Sequence, residues 1–133
     1  MGIAYFSAVY LVVANVLVGL FQVALAAGAP MGEYAWGGRE SGRLSAKLRV
    51  SSAFSALLLF AIAGHYASVI GWLPSMLDAH TRAFSLWGLT ALFALSTLGN
   101  YKSKSEQERK MFLPVSGSML LANILILVFY RLG

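Results

Sequence analysis

The sequence predicts an all-α membrane protein, a bundle of four transmembrane helices arranged as two hairpins with basic cytoplasmic loops. Three observations carry that expectation. Hydrophobic residues make up 59% of the 133 positions and charged residues only 11%, whereas a soluble domain carries roughly 25% charged residues. So few charges cannot coat a soluble globule of this size. The apolar residues fall into four long runs, and the ten Lys and Arg residues gather mainly in two stretches between those runs. Basic residues placed in this way set membrane topology.

The length suits one domain, 1–133. The net charge of +5 does not point to nucleic acid, because the basic residues flank apolar runs. No cysteine is present, which excludes disulfides, thiolate metal sites and cysteine nucleophiles. The N-terminus lacks the basic region of a secretory signal, the first positive side chain being Arg39.

The first run, 3–27, holds no charge in 25 positions. At a rise of about 1.5 Å per residue it reaches about 37 Å, more than the roughly 30 Å hydrocarbon core. It is therefore expected to be a retained, tilted spanning helix. Asn15, Gly19 and Gln22 share one face of it. An amide facing lipid is costly, so this stripe should face other helices.

Residues 28–49, GAPMGEYAWGGRESGRLSAKLR, form the wet connection to the second run. That run, 50–73, carries Ser51/Ser55 and Ser52/Ala56, small pairs four apart that let another backbone approach. His65 lies in its far third, and Trp72 and Pro74 mark its exit. The third run, 83–99, is at the lower limit for spanning. Residues 100–112 then bring four basic and two acidic side chains. The fourth run, 113–130, has Pro114 in its expected first turn and Asn123 as its single amide.

Orientation follows from the basic residues. Arg39, Arg43, Lys47, Arg49, Lys102, Lys104, Arg109 and Lys110 fall on one side, Arg82 and Arg131 on the other. The richer side is expected in the cytoplasm, with both termini outside. Tyr5, Tyr10, Trp72 and Tyr130 would mark the outer interface, and Tyr34, Trp36 and Tyr101 the inner one.

Two patterns carry a family resemblance. The first is Gly28-Ala29-Pro30-x-Gly32-x-x-Ala35-x-Gly37-Gly38, followed by Gly42 and Leu48-Arg49. The second is Asn100-x-x-Ser103-x-Ser105-x-x-Glu108-Arg109, followed by Pro114-Val115. Together they resemble a family of small, uncharacterised bacterial four-helix membrane proteins, with Ser96 a departure where a glycine is expected before Thr97. The resemblance implies the architecture and a location in the bacterial cytoplasmic (inner) membrane. It implies no reaction, substrate or site residue.

Several residues are candidates for ligand or ion binding. His65 is an ionisable group inside a span, a functional hypothesis by default. Its plainer role is a hydrogen bond to a neighbouring helix near the outer interface. Glu33, beside Tyr34 and Trp36 at the inner mouth, could gate or bind a cation. Alternatively it pairs with Arg39, Arg43 or Arg109. Asn15 and Gln22 could line a polar path, or they make interhelical hydrogen bonds like Asn123. Gly19, Ser51, Ser55 and Asn123 are expected at helix-packing faces. Trp36, Arg39, Arg43, Arg49, Lys102 and Arg109 are expected to contact lipid or a partner at the inner loops. The Glu106, Glu108, Arg109, Lys110 run reads as the solvated start of a helix, with Glu106 and Lys110 spaced as an i,i+4 pair.

The loop glycines do not form a nucleotide loop, since no strand precedes them and no Lys-Ser/Thr pair follows. No nucleophile–base pair, metal cluster or cofactor motif is visible. The expectation is a non-enzymatic interaction or accessory subunit, associating in the lipid bilayer with itself or with another membrane protein. The alternative is a small oligomeric channel or transporter for an ion or small cation.

Overall fold

The computed structural model describes residues 2–75 and 77–129. Among them are four α-helices: α1 (Ile3–Ala26), α2 (Ala46–Val69), α3 (Ala79–Tyr101) and α4 (Glu106–Phe129). Two single 3₁₀ turns, Gly32–Tyr34 and Trp36–Gly38, lie between α1 and α2, and no strand is present among these residues. Each helix is long and apolar enough to cross a membrane. The expected outer ring of Tyr130, the outer charge of Arg131 and the C-terminus lie outside the described residues.

Three helices run beyond their apolar cores. α2 begins at Ala46, before the expected 50, and ends at Val69. α3 spans 23 residues, against the seventeen expected. α4 begins at Glu106, before the expected 113. Hydropathy marks only the part of a helix that suits hydrocarbon, whereas the backbone continues until its terminal N–H groups find other acceptors. Asp78 supplies one such acceptor, taking the Thr81 N–H at 2.7 Å. Ser105 supplies another, its hydroxyl taking the Glu108 N–H at 3.2 Å. Pro114 consequently sits inside α4 and not in its first turn. The hydrogen bond it cannot make would have reached the carbonyl of Lys110, an exposed residue with access to polar surroundings.

The helices pack with alternating direction. α1 lies against α2 and α4, and α3 against α4. Arg49 Nε–H donates to the Ala26 carbonyl at 2.9 Å, joining the end of α1 to the start of α2. The last turn of α1 has no basic residue of its own, so this guanidinium also supplies the positive charge that a helix C-terminus favours. Tyr10 hydrogen-bonds Ser118, and the Phe21 and Phe112 rings meet at 5.0 Å, which sets α1 and α4 antiparallel. Gly19 fits beneath Phe60 of α2, where an added Cβ would lie 2.6 Å from the ring.

The main core gathers Leu11, Tyr66, Leu86, Phe93 and Ile126. Within it, Asn123 joins three helices. It accepts from the Tyr66 hydroxyl of α2 at 2.6 Å. It donates to the Leu86 carbonyl at 3.0 Å and the Thr90 hydroxyl at 2.7 Å, both on α3. This amide matters most to α3, whose only buried residues are Leu86 and Phe93.

A second core, Leu25, Ala35, Leu44 and Leu48, holds residues 27–45 against the ends of α1 and α2. Gly32 N–H donates to the Gly42 carbonyl at 2.8 Å. A Cβ on Gly32 would stand 2.0 Å from the Glu40 carbonyl, so only glycine allows the chain to close here. The Ser105 hydroxyl donates to the Glu33 carbonyl and ties this loop to the start of α4. The two basic stretches therefore meet at one end of the bundle.

Candidate functional site

α2 and α3 are consecutive but do not pack closely along their lengths. Near their joined end they touch through His65 Nε2 and Ser85 Oγ at 2.9 Å. Toward the basic end a cavity of about 450 Å³ separates them, walled by all four helices. Phe21, Leu59, Ile62, Leu92 and Met119 make most of its apolar wall, and Tyr34, Trp36 and Gly37 form its floor.

Glu108 stands on this wall and is 9% exposed. Its Oε2 accepts the Gly37 N–H at a long 3.4 Å. Among the described residues no basic group pairs with it. The ion pair formed there joins Lys110 to Glu106 at 2.9 Å on the exposed side, and Arg109 donates to the Ser103 carbonyl at 2.8 Å. The expectation of a solvated helix start thus holds for Glu106 and Lys110 and fails for Glu108. The reason is local. Ser105 and Glu108 have the spacing of a capping box, in which the glutamate reaches back to the N–H of the serine. Here the Ser103 hydroxyl takes the Ser105 N–H at 3.1 Å. The Glu108 carboxylate is left to turn inward, toward Gly37.

Trp36 adopts a left-handed backbone, φ 53, a conformation that costs a bulky residue about 1–2 kcal/mol. Its indole N–H donates to the hydroxyl of Ser52, which is fully buried, at 3.0 Å. That bond and the surrounding packing hold the strained residue in the floor of the cleft. On the opposite wall, Asn100 donates to Ser116 Oγ at 2.9 Å and to the Phe112 carbonyl at 3.2 Å. Gln22 differs from these groups. Its Oε1 is buried with no hydrogen-bond partner among the described residues, although the side chain lines the cavity.

The other expected residues divide between the cleft and the scaffold. Glu33 is not on the cavity wall. Its carboxylate accepts the Gly42 N–H at 3.2 Å and folds the loop, without pairing to Arg39, Arg43 or Arg109. Glu40 behaves similarly, accepting the Ser45 N–H at 2.7 Å. That backbone bond, with the Ser45 hydroxyl beside it, holds the Glu40 carboxyl below its usual range. Asn15 is buried in the bundle, donating to the Leu11 carbonyl at 2.8 Å, and its own carbonyl has no hydrogen-bond partner among the described residues. His65 sits at the other end of the cleft-forming helices. Ser55 lines the cavity, while Ser51 bonds back to the Lys47 carbonyl at 3.2 Å. Arg43 lies over Gly28, and Arg39 and Lys102 are exposed. Among the described residues no group of three His, Asp or Glu side chains could hold a metal ion.

Glu108, Ser52 and Asn100 were not singled out from the sequence as site residues. Only Glu108 carried a usable signal, the Ser-x-x-Glu spacing before an apolar run. The chemistry that results is a largely apolar pocket with a carboxylate at its basic end and an amide side chain on its wall. No family model, curated protein or solved structure matches this chain, so its function rests on the chemistry of this cleft.

Proposed function

We propose that the chain is a small polytopic protein of the bacterial cytoplasmic membrane that binds and passes an ion or small cation at the α2–α3 cleft, working as an oligomer. The observation that carries this reading is Glu108, a buried carboxylate on the wall of a cavity, without a basic partner among the described residues. An uncompensated buried charge is costly, and a bound cation removes that cost. Binding and not catalysis is proposed, and neither nucleic acid nor a cofactor enters it.

The same reading has both termini outside and residues 28–49 and 100–112 in the cytoplasm. Eight Lys and Arg residues at the joined loops, against Arg82 and Arg131, support that orientation. The cleft then opens near the inner leaflet. A second reading, a non-enzymatic accessory subunit held by another membrane protein, draws support from α3. That helix turns Phe84, Trp87, Leu95 and Leu98 outward, onto either lipid or a partner.

Reconstitution into liposomes tests the proposal. Monovalent cation flux is expected for the unaltered chain and at least about tenfold less for Glu108→Gln, because removing one member of a buried charge pair costs roughly 2–5 kcal/mol. Absence of flux, together with purification in a fixed ratio with one other membrane protein, would favour the accessory reading.

A further inference from the structure

The cleft is larger than a bare ion needs. A volume of about 450 Å³ lies in the range that holds an organic ligand, roughly 300–1,000 Å³. Its wall is also unlike an ion path. Between the carboxylate end and the His65–Ser85 contact the lining is chiefly aliphatic and aromatic, with Leu59, Ile62, Leu92 and Met119 facing the space. An ion moving there would lose its hydration without replacement.

The strongest polar groups that remain are acceptors. Three donors near the floor are engaged: the Trp36 indole N–H by Ser52, the Asn100 amide by Ser116 and Phe112, and the Gly37 N–H by Glu108. Two strong acceptors are left over, the Glu108 carboxylate and the Gln22 carbonyl, beside Tyr34, Ser55 and Ser96, whose hydroxyls can accept as well as donate. The depths of Glu108 and Gln22 are comparable. Phe21 and Phe112 meet at 5.0 Å, so Gln22 lies near the level of Phe112, about one helical turn along the bundle axis from the level of Glu108. A ligand that satisfies both must bring several N–H donors and a positive charge on a compact head, followed by an apolar body.

We infer that the cleft binds a protonated alkyl or arylalkyl amine. Its ammonium lies between Glu108 and Gln22 over Trp36, and its apolar body lies along α2 and α3. This rests on the cation-site reading and narrows its ligand class. The head would donate one hydrogen bond to Glu108 and one to Gln22. Because α2 and α3 are not closed against each other, the apolar body enters sideways from the inner leaflet. A quaternary ammonium of equal charge and length has no N–H to offer, and an alcohol has no charge, so both should bind less well.

The test uses the full chain with Trp72→Phe and Trp87→Phe in phosphatidylcholine nanodiscs, so that Trp36 is the sole fluorescent indole. It is titrated with hexylamine, hexyltrimethylammonium and hexanol. Saturable quenching by hexylamine is expected, with at least about tenfold weaker binding of the other two. Glu108→Gln should weaken hexylamine binding at least about tenfold, and Gln22→Leu about three- to tenfold, the loss of one hydrogen bond. Gln22→Leu removes no bond from the folded bundle, so it remains informative if Glu108→Gln fails to fold.

Hexanol or the quaternary ion binding as tightly as hexylamine would overturn the inference. So would unchanged hexylamine affinity in folded Glu108→Gln. Glu108-dependent inorganic cation flux without hexylamine binding would sink the amine and leave the cation site standing. Absence of both would remove the two together. Competition by phosphatidylethanolamine, added to the nanodiscs, would assign the ammonium to a lipid headgroup. Indifference to it, with hexylamine bound, would assign it to a free amine.

Discussion

Replacing Asn123 by alanine should release α3 from the bundle before any other helix loosens. The amide exchanges three hydrogen bonds, one with Tyr66 of α2 and two with Leu86 and Thr90 of α3. Hydrogen bonds between membrane helices average about 0.6 kcal/mol and reach about 1.7, so Asn123→Ala should cost about 2 kcal/mol. Away from α4, α3 has few restraints, since it buries only Leu86 and Phe93 and does not pack closely on α2. Unfolding in mixed micelles by titrated dodecyl sulfate measures the loss, and amide exchange in residues 79–101 should rise most. Tyr66→Phe gives an internal control. It should cost about 0.6 kcal/mol alone and nothing in the Asn123→Ala background, since the acceptor has already gone. A loss under about 0.5 kcal/mol for Asn123→Ala, or the same Tyr66→Phe effect in both backgrounds, would refute the three-helix hub.

Three further outcomes are expected. Gly32→Ala should open the loop over the basic end, because its Cβ would meet the Glu40 backbone at 2.0 Å. Faster tryptic cleavage after Arg39 and Arg43, with the helix content retained, is the readout. Ser52→Ala removes the acceptor of the Trp36 indole. It should cost about 1–3 kcal/mol and red-shift the Trp36 emission as the strained turn relaxes. Asp78 is held below its ordinary 3.8, first by the Thr81 N–H it caps, then by the Thr81 hydroxyl. A carboxyl depressed in the fold adds stability above its ordinary value, and that stability is lost as pH falls through the lower folded value. The melting temperature of the unaltered chain should therefore drop below about pH 4 by more than that of Asp78→Asn.

How much of this was legible in the sequence depends on which physical signal each feature leaves. The four helices were legible because long apolar runs have few other uses. Their ends were not, since charged residues such as Lys47, Arg49 and Lys110 form helix as readily as they form loop. The burial of Asn15, Gly19 and Asn123 followed from the cost of placing an amide or a bare backbone against lipid. The cleft left no comparable trace. It arises because α2 and α3 stay apart, and the distance between two apolar helices is not written in either one. Glu33 drew notice because it lies among glycines and aromatics, yet its carboxylate serves the loop. Glu108 sits between ordinary charged neighbours, and only the competing bond from Ser103 to Ser105 turns it inward.

The interior polar groups separate by what satisfies them. Asn123, Tyr66 and Thr90 complete one another and leave nothing for a ligand. Groups of this kind fix the order of the helices and can be exchanged only at a cost to stability. Glu108 and Gln22 are the reverse case. A carboxylate turned toward solvent at the basic end would have been possible, because Glu106 and Lys110, each two positions from Glu108, face outward. The fold instead spends a left-handed tryptophan and a long 3.4 Å contact from Gly37 in keeping Glu108 inside the cleft. A bundle selected for stability alone would gain by replacing Glu108 with leucine. The expectation that follows is that Glu108→Leu melts at a higher temperature than the unaltered chain while losing cation binding. A melting temperature lowered by that change would instead make Glu108 a structural residue.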